Sequence, residues 1–125
     1  LLNLANLQAG ENFFDLGSGD GKTVIMAATE FGANAFGIEM REDLIQRANE
    51  KIQELGINDM VKIIKNDIFN VDIRQADVVY LYLTTSANEK VRSKLDIELK
   101  STASLVSHDY EIVGWKAEKI EKNGK

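Results

Sequence analysis

The stretch Phe13-Phe14-Asp15-Leu16-Gly17-Ser18-Gly19-Asp20-Gly21-Lys22 decides the fold. An apolar run ends in an aspartate, three glycines alternate with small or acidic residues, and helix-like patterning begins at Thr23. Physically this is a strand, a tight bend and a helix N-terminus. Alternating glycines allow a ligand to lie almost on the backbone, because no Cβ intervenes. Helix N-termini and amide nests ordinarily attract phosphate. Here Asp15 and Asp20 would repel it, which points to a neutral or cationic ligand.

Two better-known loops fail on the same residues. A phosphate-binding loop of the G-x-x-x-x-G-K-[ST] kind matches Gly21-Lys22-Thr23, but its first glycine falls on Leu16. The dinucleotide fingerprint G-x-G-x-x-G matches Gly17 and Gly19, but its third glycine falls on Lys22.

Strand-like and helix-like segments alternate outward from this bend. Residues 2–9 read as the end of a helix and 12–16 as the first strand. Residues 21–32 read as a helix with Val24, Ile25, Ala28 and Phe31 at helical spacing and Gly32 as its stop. A second strand is expected at 34–39. An amphipathic helix over 42–55 carries Leu44, Ile45, Ala48, Ile52 and Leu55 on one face and ends at Gly56. Further strands are expected at 61–64, 76–83 and 103–107, with a helix from Thr85 or Ser86 to Leu99. The pattern predicts an α/β three-layer sandwich around a mostly parallel, Rossmann-like sheet. Its ligand belongs outside the carboxyl ends of the strands. Residues 116–125 read as a solvated tail or an edge strand.

Composition narrows the function classes. The 125 residues suit one domain over 1–125, and 44% hydrophobic content supports a packed core. There is no cysteine and one histidine, which argues against a metal centre and fits a cytoplasmic protein. No apolar run approaches a membrane span. Fifteen basic against twenty acidic residues give a net charge of −5, which argues against nucleic acid and is compatible with a lysine-rich protein partner. Oligomeric state is left open.

Glu39 ends the second strand eighteen residues past Gly21, where a carboxylate can accept both ribose hydroxyl protons. The alternative is a surface glutamate capping the next helix. Met40 would lie against a base. Asn66-Asp67-Ile68-Phe69 follows the third strand; one reading is an Asx turn, the other a ligand contact. Asp15, Glu39 and Asp67 thus come after three successive strands and share one sheet edge. Tyr80, Tyr82 and Thr84 share one face of the fourth strand, as core residues or as a pocket wall. His108 is a structural hydrogen-bonding residue or a substrate contact, and Trp115 covers a sheet edge or walls the pocket.

Asp15-Leu16-Gly17-Ser18-Gly19-Asp20-Gly21 resembles the first motif of class I S-adenosylmethionine-dependent methyltransferases. That resemblance implies a cofactor set of Asp15, Leu16, Gly17, Ser18, Gly19, Gly21, Glu39, Met40, Asn66, Asp67 and Ile68. In it, Asp15 and the bend hold the methionine end and Asp67 accepts from the adenine amino group, with Ile68 or Phe69 walling the ring. Together with Tyr80-Leu81-Tyr82-Leu83-Thr84 and the segment from Ser107 to Trp115, the chain from 10 to 115 is similar to small archaeal protein-lysine methyltransferases of the seven-strand fold. The family implies transfer to lysine ε-amines of protein substrates, with Tyr82 and Thr84 on the acceptor side. Two strands that usually end this fold, one of them antiparallel, are not evident, so the chain is expected to lack terminal elements and to be a fragment. A small-molecule or RNA methyltransferase, an inactive cofactor-binding module and, more distantly, a nicotinamide-dependent reductase are the competing readings.

Overall fold

A computed structural model describes residue 4 and residues 6–81, 85–107 and 120–121; for 85–89, 107, 120 and 121 the description extends to the main chain alone. The strands are β1 (Asn12–Leu16), β2 (Asn34–Glu39), β3 (Val61–Lys65), β4 (Val78–Leu81), β5 (Ser104–Ser107) and β6 (Ile120–Glu121). The helices are α1 (Lys22–Phe31), α2 (Glu42–Leu55) and α3 (Thr85–Glu98). They form one sheet in the order β3-β2-β1-β4-β5-β6. The first five strands are mutually parallel and β6 runs antiparallel to β5. The predicted α/β sandwich is therefore present. One antiparallel strand, β6, stands at its edge, within the stretch 116–125 that the sequence reads as a tail or an edge strand.

The two faces of the sheet are separate cores. On one, Phe13, Ala35, Val61, Val78 and Tyr80 pack under Val24, Ala27 and Ala28 of α1 and Ile52 of α2. On the other, Phe14, Leu16, Ile38, Val79, Leu81 and Leu105 pack under Val91 and Leu95 of α3. Strand alternation explains the split, since neighbouring residues point to opposite faces. Burying such a side chain is worth about 1.5–3 kcal/mol. No helix covers the crossing from β3 to β4. There Val71, Ile73 and Ala76 of the connecting chain fill the core beside α3.

Helices α1 and α2 each end on a glycine in the left-handed region, as their patterning predicts. The apolar face of α1 differs in detail: Val24, Ala27 and Ala28 are buried, while Ile25 and Phe31 are only half-buried. The helix expected over 2–9 is not formed by the described residues there. Leu7 N–H reaches Leu4 O at 2.8 Å and Glu11 N–H reaches Gln8 O at 3.1 Å, the contacts of successive turns. Leu4 and Leu7 are nonetheless buried against the α1 face.

At the amino end of the sheet, Asp77 joins three strands. Its Oδ2 accepts Asn12 N–H at 2.8 Å, its Oδ1 meets Lys100 Nζ at 2.7 Å, and its carbonyl accepts Ser104 N–H at 2.9 Å. Asp77, just ahead of β4, is thus a structural tie. Among the described residues no helix is long and apolar enough to cross a membrane.

Candidate functional site

The strand order reverses between β1 and β4, because the chain proceeds outward through β2 and β3 and then returns beside β1. Such a reversal opens a crevice at the carboxyl ends of the strands. A cavity of about 340 Å³ lies there, lined by Gly17, Ile38, Glu39, Met40, Asn66, Asp67, Ile68 and Phe69. Gly17 follows β1, Glu39 ends β2 and Asn66 follows β3. Three segments remote in sequence therefore meet because their strands are neighbours.

The glycine bend is pinned to β2. Gly17 and Ser18 N–H groups both donate to Ile38 O at 2.9 Å. Gly19 N–H donates to Glu39 Oε1 at 2.8 Å. Glu39 Oε2 accepts Met40 N–H at 3.1 Å and Arg41 N–H at 3.0 Å, just ahead of α2. The ligand carboxylate of the sequence reading is thus also a strut between the bend and the start of α2. A carboxylate offers about four acceptor positions. Three main-chain donors leave room on Oε1 for a hydroxyl.

The glycines divide their work. Gly19 has open space where a Cβ would stand. Gly21 does not: a Cβ there would come within 2.9 Å of Ala48 Cβ on α2, and its φ is +88°. Gly21 lets α2 close on the start of α1. Gly37, which the sequence reading passed over, is the partner of this arrangement. A Cβ at Gly37 would lie 2.7 Å from both Cβ and Oγ of Ser18. A glycine inside a strand is the signal for such a close approach.

Asp15 lies beneath the bend, between Gly37 of β2 and Tyr80 of β4. It is 2% exposed and is not among the residues lining the cavity. Its Oδ1 and the Oγ of Ser18 are buried without a hydrogen-bond partner among the described residues. Burial, with the Glu39 charge adding to it, pushes the Asp15 carboxyl up to about 8. Leu16 is fully buried in the core, which leaves only its main chain to the bend.

Met40 is 58% exposed on the rim. Asn66 Oδ1 accepts Asp67 N–H at 2.7 Å and Asp67 Oδ1 accepts Phe69 N–H at 2.9 Å, so the Asx turn exists and forms the cavity wall. The two readings of Asn66-Asp67 are compatible. Phe69 lines the cavity beside Ile68. Tyr80 is buried and stacks with Phe13 at 6.5 Å between centroids, which makes it core. Tyr82, Thr84, His108 and Trp115 lie outside the described residues.

These donors and acceptors fit S-adenosylmethionine. Among the described residues the cavity lining carries two carboxylates, from Glu39 and Asp67, and no lysine or arginine to hold a polyphosphate. The Asp15 oxygen that has no partner among the described residues lies behind the bend, where a bound cation would favour its ionised form.

Comparison with known proteins agrees. Residues 15–119 match the family model of the ANTKMT methyltransferase domain. A protein-lysine N-methyltransferase of Saccharolobus islandicus (strain REY15A) is 37% identical over 98% of this chain and 76% of that protein. The adenine nucleotide translocase lysine N-methyltransferase of Mus musculus is 30% identical over 81% of this chain and 44% of its own length. An RNA methyltransferase from Salinibacter ruber, solved with S-adenosyl-L-homocysteine, superimposes with a TM-score of 0.86 at 41% identity, over 90% of this chain and 74% of that one. A SAM-dependent methyltransferase from Geobacter sulfurreducens, solved with the same compound, gives a TM-score of 0.71 at 26% identity, over 80% of this chain and 42% of that one. The chain thus spans three quarters of two of these proteins and less than half of the other two. With the family model covering most of its length, the chain belongs to the ANTKMT methyltransferase domain family and is an S-adenosylmethionine-dependent methyltransferase.

Proposed function

We propose that the chain methylates the ε-amine of lysines on protein substrates, with the cofactor held at the carboxyl ends of β1, β2 and β3. The observation that carries this reading is the meeting of the glycine bend, Glu39 and Asp67 around one cavity with no basic side chain in its lining among the described residues. Its kinship with a protein-lysine N-methyltransferase at 37% identity supports lysine as acceptor.

In this reading Glu39 holds the ribose through Oε1, Asp67 and Asn66 take the polar edge of the base, and Ile68, Phe69 and Met40 cover its faces. Gly17, Ser18 and Gly19 present the main chain of the bend, and Asp15 balances positive charge from behind it. When bound, the cofactor supplies a methyl carbon already activated by its cationic sulfur. What the protein adds is alignment and exclusion of water, which can supply several orders of magnitude in rate. We assign the acceptor side to Tyr82 and Thr84, which follow β4 in the chain. An aromatic ring beside a lysine amine removes water from it and lowers its pKa. The ring face also favours the methylated cation. The proton leaves to water or a carboxylate before attack. A cytoplasmic location, inferred from the absence of cysteine, belongs to the same proposal.

RNA is the second reading, favoured by the Salinibacter ruber relative at 41% identity. The net charge of −5 argues against it. Incubation with methyl-labelled cofactor, lysine-rich proteins and RNA separates the two. Label in protein lysines supports the first reading; label confined to RNA overturns it. Binding of the cofactor itself is read from S-adenosylhomocysteine, which should raise the unfolding temperature, because a ligand of the native state alone stabilises it.

A further inference from the structure

Helix α3 presents Lys90, Lys94 and Glu98 at positions i, i+4 and i+8 of one stripe. Each meets a different residue of the chain between β3 and β4. Lys90 Nζ stands 4.9 Å from the centroid of the Phe69 ring. Lys94, a buried lysine, donates to Val71 O and pairs with Glu98 Oε2 at 2.8 Å. Glu98 Oε1 accepts Ile73 N–H at 3.2 Å. The helix stripe and the chain from 69 to 73 keep step, one stripe residue to every second residue of that chain. Val91 and Leu95 pack beside Val71 and Ile73 in the same core.

A buried ion pair is an inefficient source of stability, because desolvation rivals the attraction and apolar replacements do as well. Its benefit here is placement. The cavity wall from Asn66 to Phe69 belongs to no helix or strand and holds its shape by two Asx contacts of its own. Phe69 is at once the end of that wall and the first residue gripped by α3. The geometry points to Lys90, Lys94 and Glu98 as positioning residues that hold Asp67–Phe69 in the cofactor-accepting shape, an inference that rests on the cofactor reading above. Because α3 begins at Thr85, soon after β4, the same helix joins the cofactor wall to the segment carrying Tyr82 and Thr84.

The test uses the full chain and S-adenosylhomocysteine as probe. The double variant Lys94→Met/Glu98→Met removes the pair without stranding either charge. Because Val71 O and the Ile73 N–H lose their partners with it, the variant is expected to unfold cooperatively but below the wild-type temperature. If the wall then holds its binding shape about a tenth of the time, the dissociation constant rises about tenfold. The KM for the methyl donor should rise while that for the acceptor stays level, and the Phe69 and Ile73 amides should exchange hydrogen faster. Lys90→Met, exposed on α3, is expected to weaken binding about two- to fivefold and provides the test should the double variant not fold. A folded variant with wild-type affinity and unchanged exchange overturns the inference. Failure of the wild type itself to bind the probe overturns the cofactor reading and this inference with it.

Discussion

Gly19 donates its main-chain N–H to Glu39 Oε1 at 2.8 Å, which joins the middle glycine of the bend to the carboxylate that ends β2. The other carboxylate oxygen takes the N–H groups of Met40 and Arg41. One side chain therefore shapes the bend, starts α2 and faces the cavity. Hydrogen bonds to a charged group are each worth about 1.5–3 kcal/mol when shielded, and less where water competes. Glu39→Ala should thus lower stability by about 2 kcal/mol in urea unfolding, and calorimetry should show S-adenosylhomocysteine binding lost. Glu39→Gln, which keeps one acceptor for Gly19, should recover most of the stability and little of the binding.

Gly21→Ala should destabilise by two routes. The new methyl meets Ala48 Cβ at 2.9 Å, and overpacking of this kind costs about 1–3 kcal/mol. The left-handed φ adds about 1–2 kcal/mol. Adding Ala48→Gly removes only the clash, so a double-mutant cycle in urea should show a favourable coupling of about 1 kcal/mol or more. Additive effects would show that α2 can retreat from the bend.

At Gly37 the same substitution should be read in binding. The incoming Cβ would press on Ser18, whose Cβ and Oγ both lie 2.7 Å away, and push the bend off β2. Gly37→Ala is expected to weaken S-adenosylhomocysteine binding at least tenfold (about 1.4 kcal/mol) in calorimetry, and Ser18→Gly should restore part of it. Unaltered affinity in Gly37→Ala would show that the bend does not touch the ligand.

Asp15 gives a pH dependence of defined sign. Its carboxyl is raised from the ordinary 3.8 to about 8 by burial first and the Glu39 charge second. Below 3.8 both folded and unfolded chains hold the proton. Between 3.8 and about 8 only the folded chain holds it, so stability falls as pH rises, and the contribution is gone above about 8. Asp15→Asn should flatten that fall in urea unfolding between pH 5 and 8.5. A bound cation favours the ionised form, so cofactor binding to the wild type near neutral pH should release a proton. Calorimetry in buffers of different ionisation enthalpy would detect it, and Asp15→Asn should abolish it.

Much of this was legible in residue order. The alternation of apolar runs, the helical spacing of 42–55 and the glycine stops at 32 and 56 are local signals, and β1, β2 and α2 lie where those signals put them. Glu39 and Asp67 line one cavity, because carboxylates that end or follow neighbouring parallel strands reach the same sheet edge; Asp15 is buried behind it. The described part of the fourth strand is shorter than its apolar run, ending at Leu81.

Partnership was another matter. Residue order alone determined most of the elements and the sheet edge at which the cavity opens, because helix period, strand alternation and glycine stops act over a few neighbouring residues. Only the tertiary structure decided that Gly21 makes room for α2, that Glu39 braces the bend, that Asp15 is buried behind it, and that Lys94 grips Val71. Gly19 and Glu39 are 20 residues apart, Lys94 and Val71 are 23, and Asn12 and Asp77 are 65. Such pairs form because of which strand lies beside which, and that order is fixed by the packing of the whole sheet.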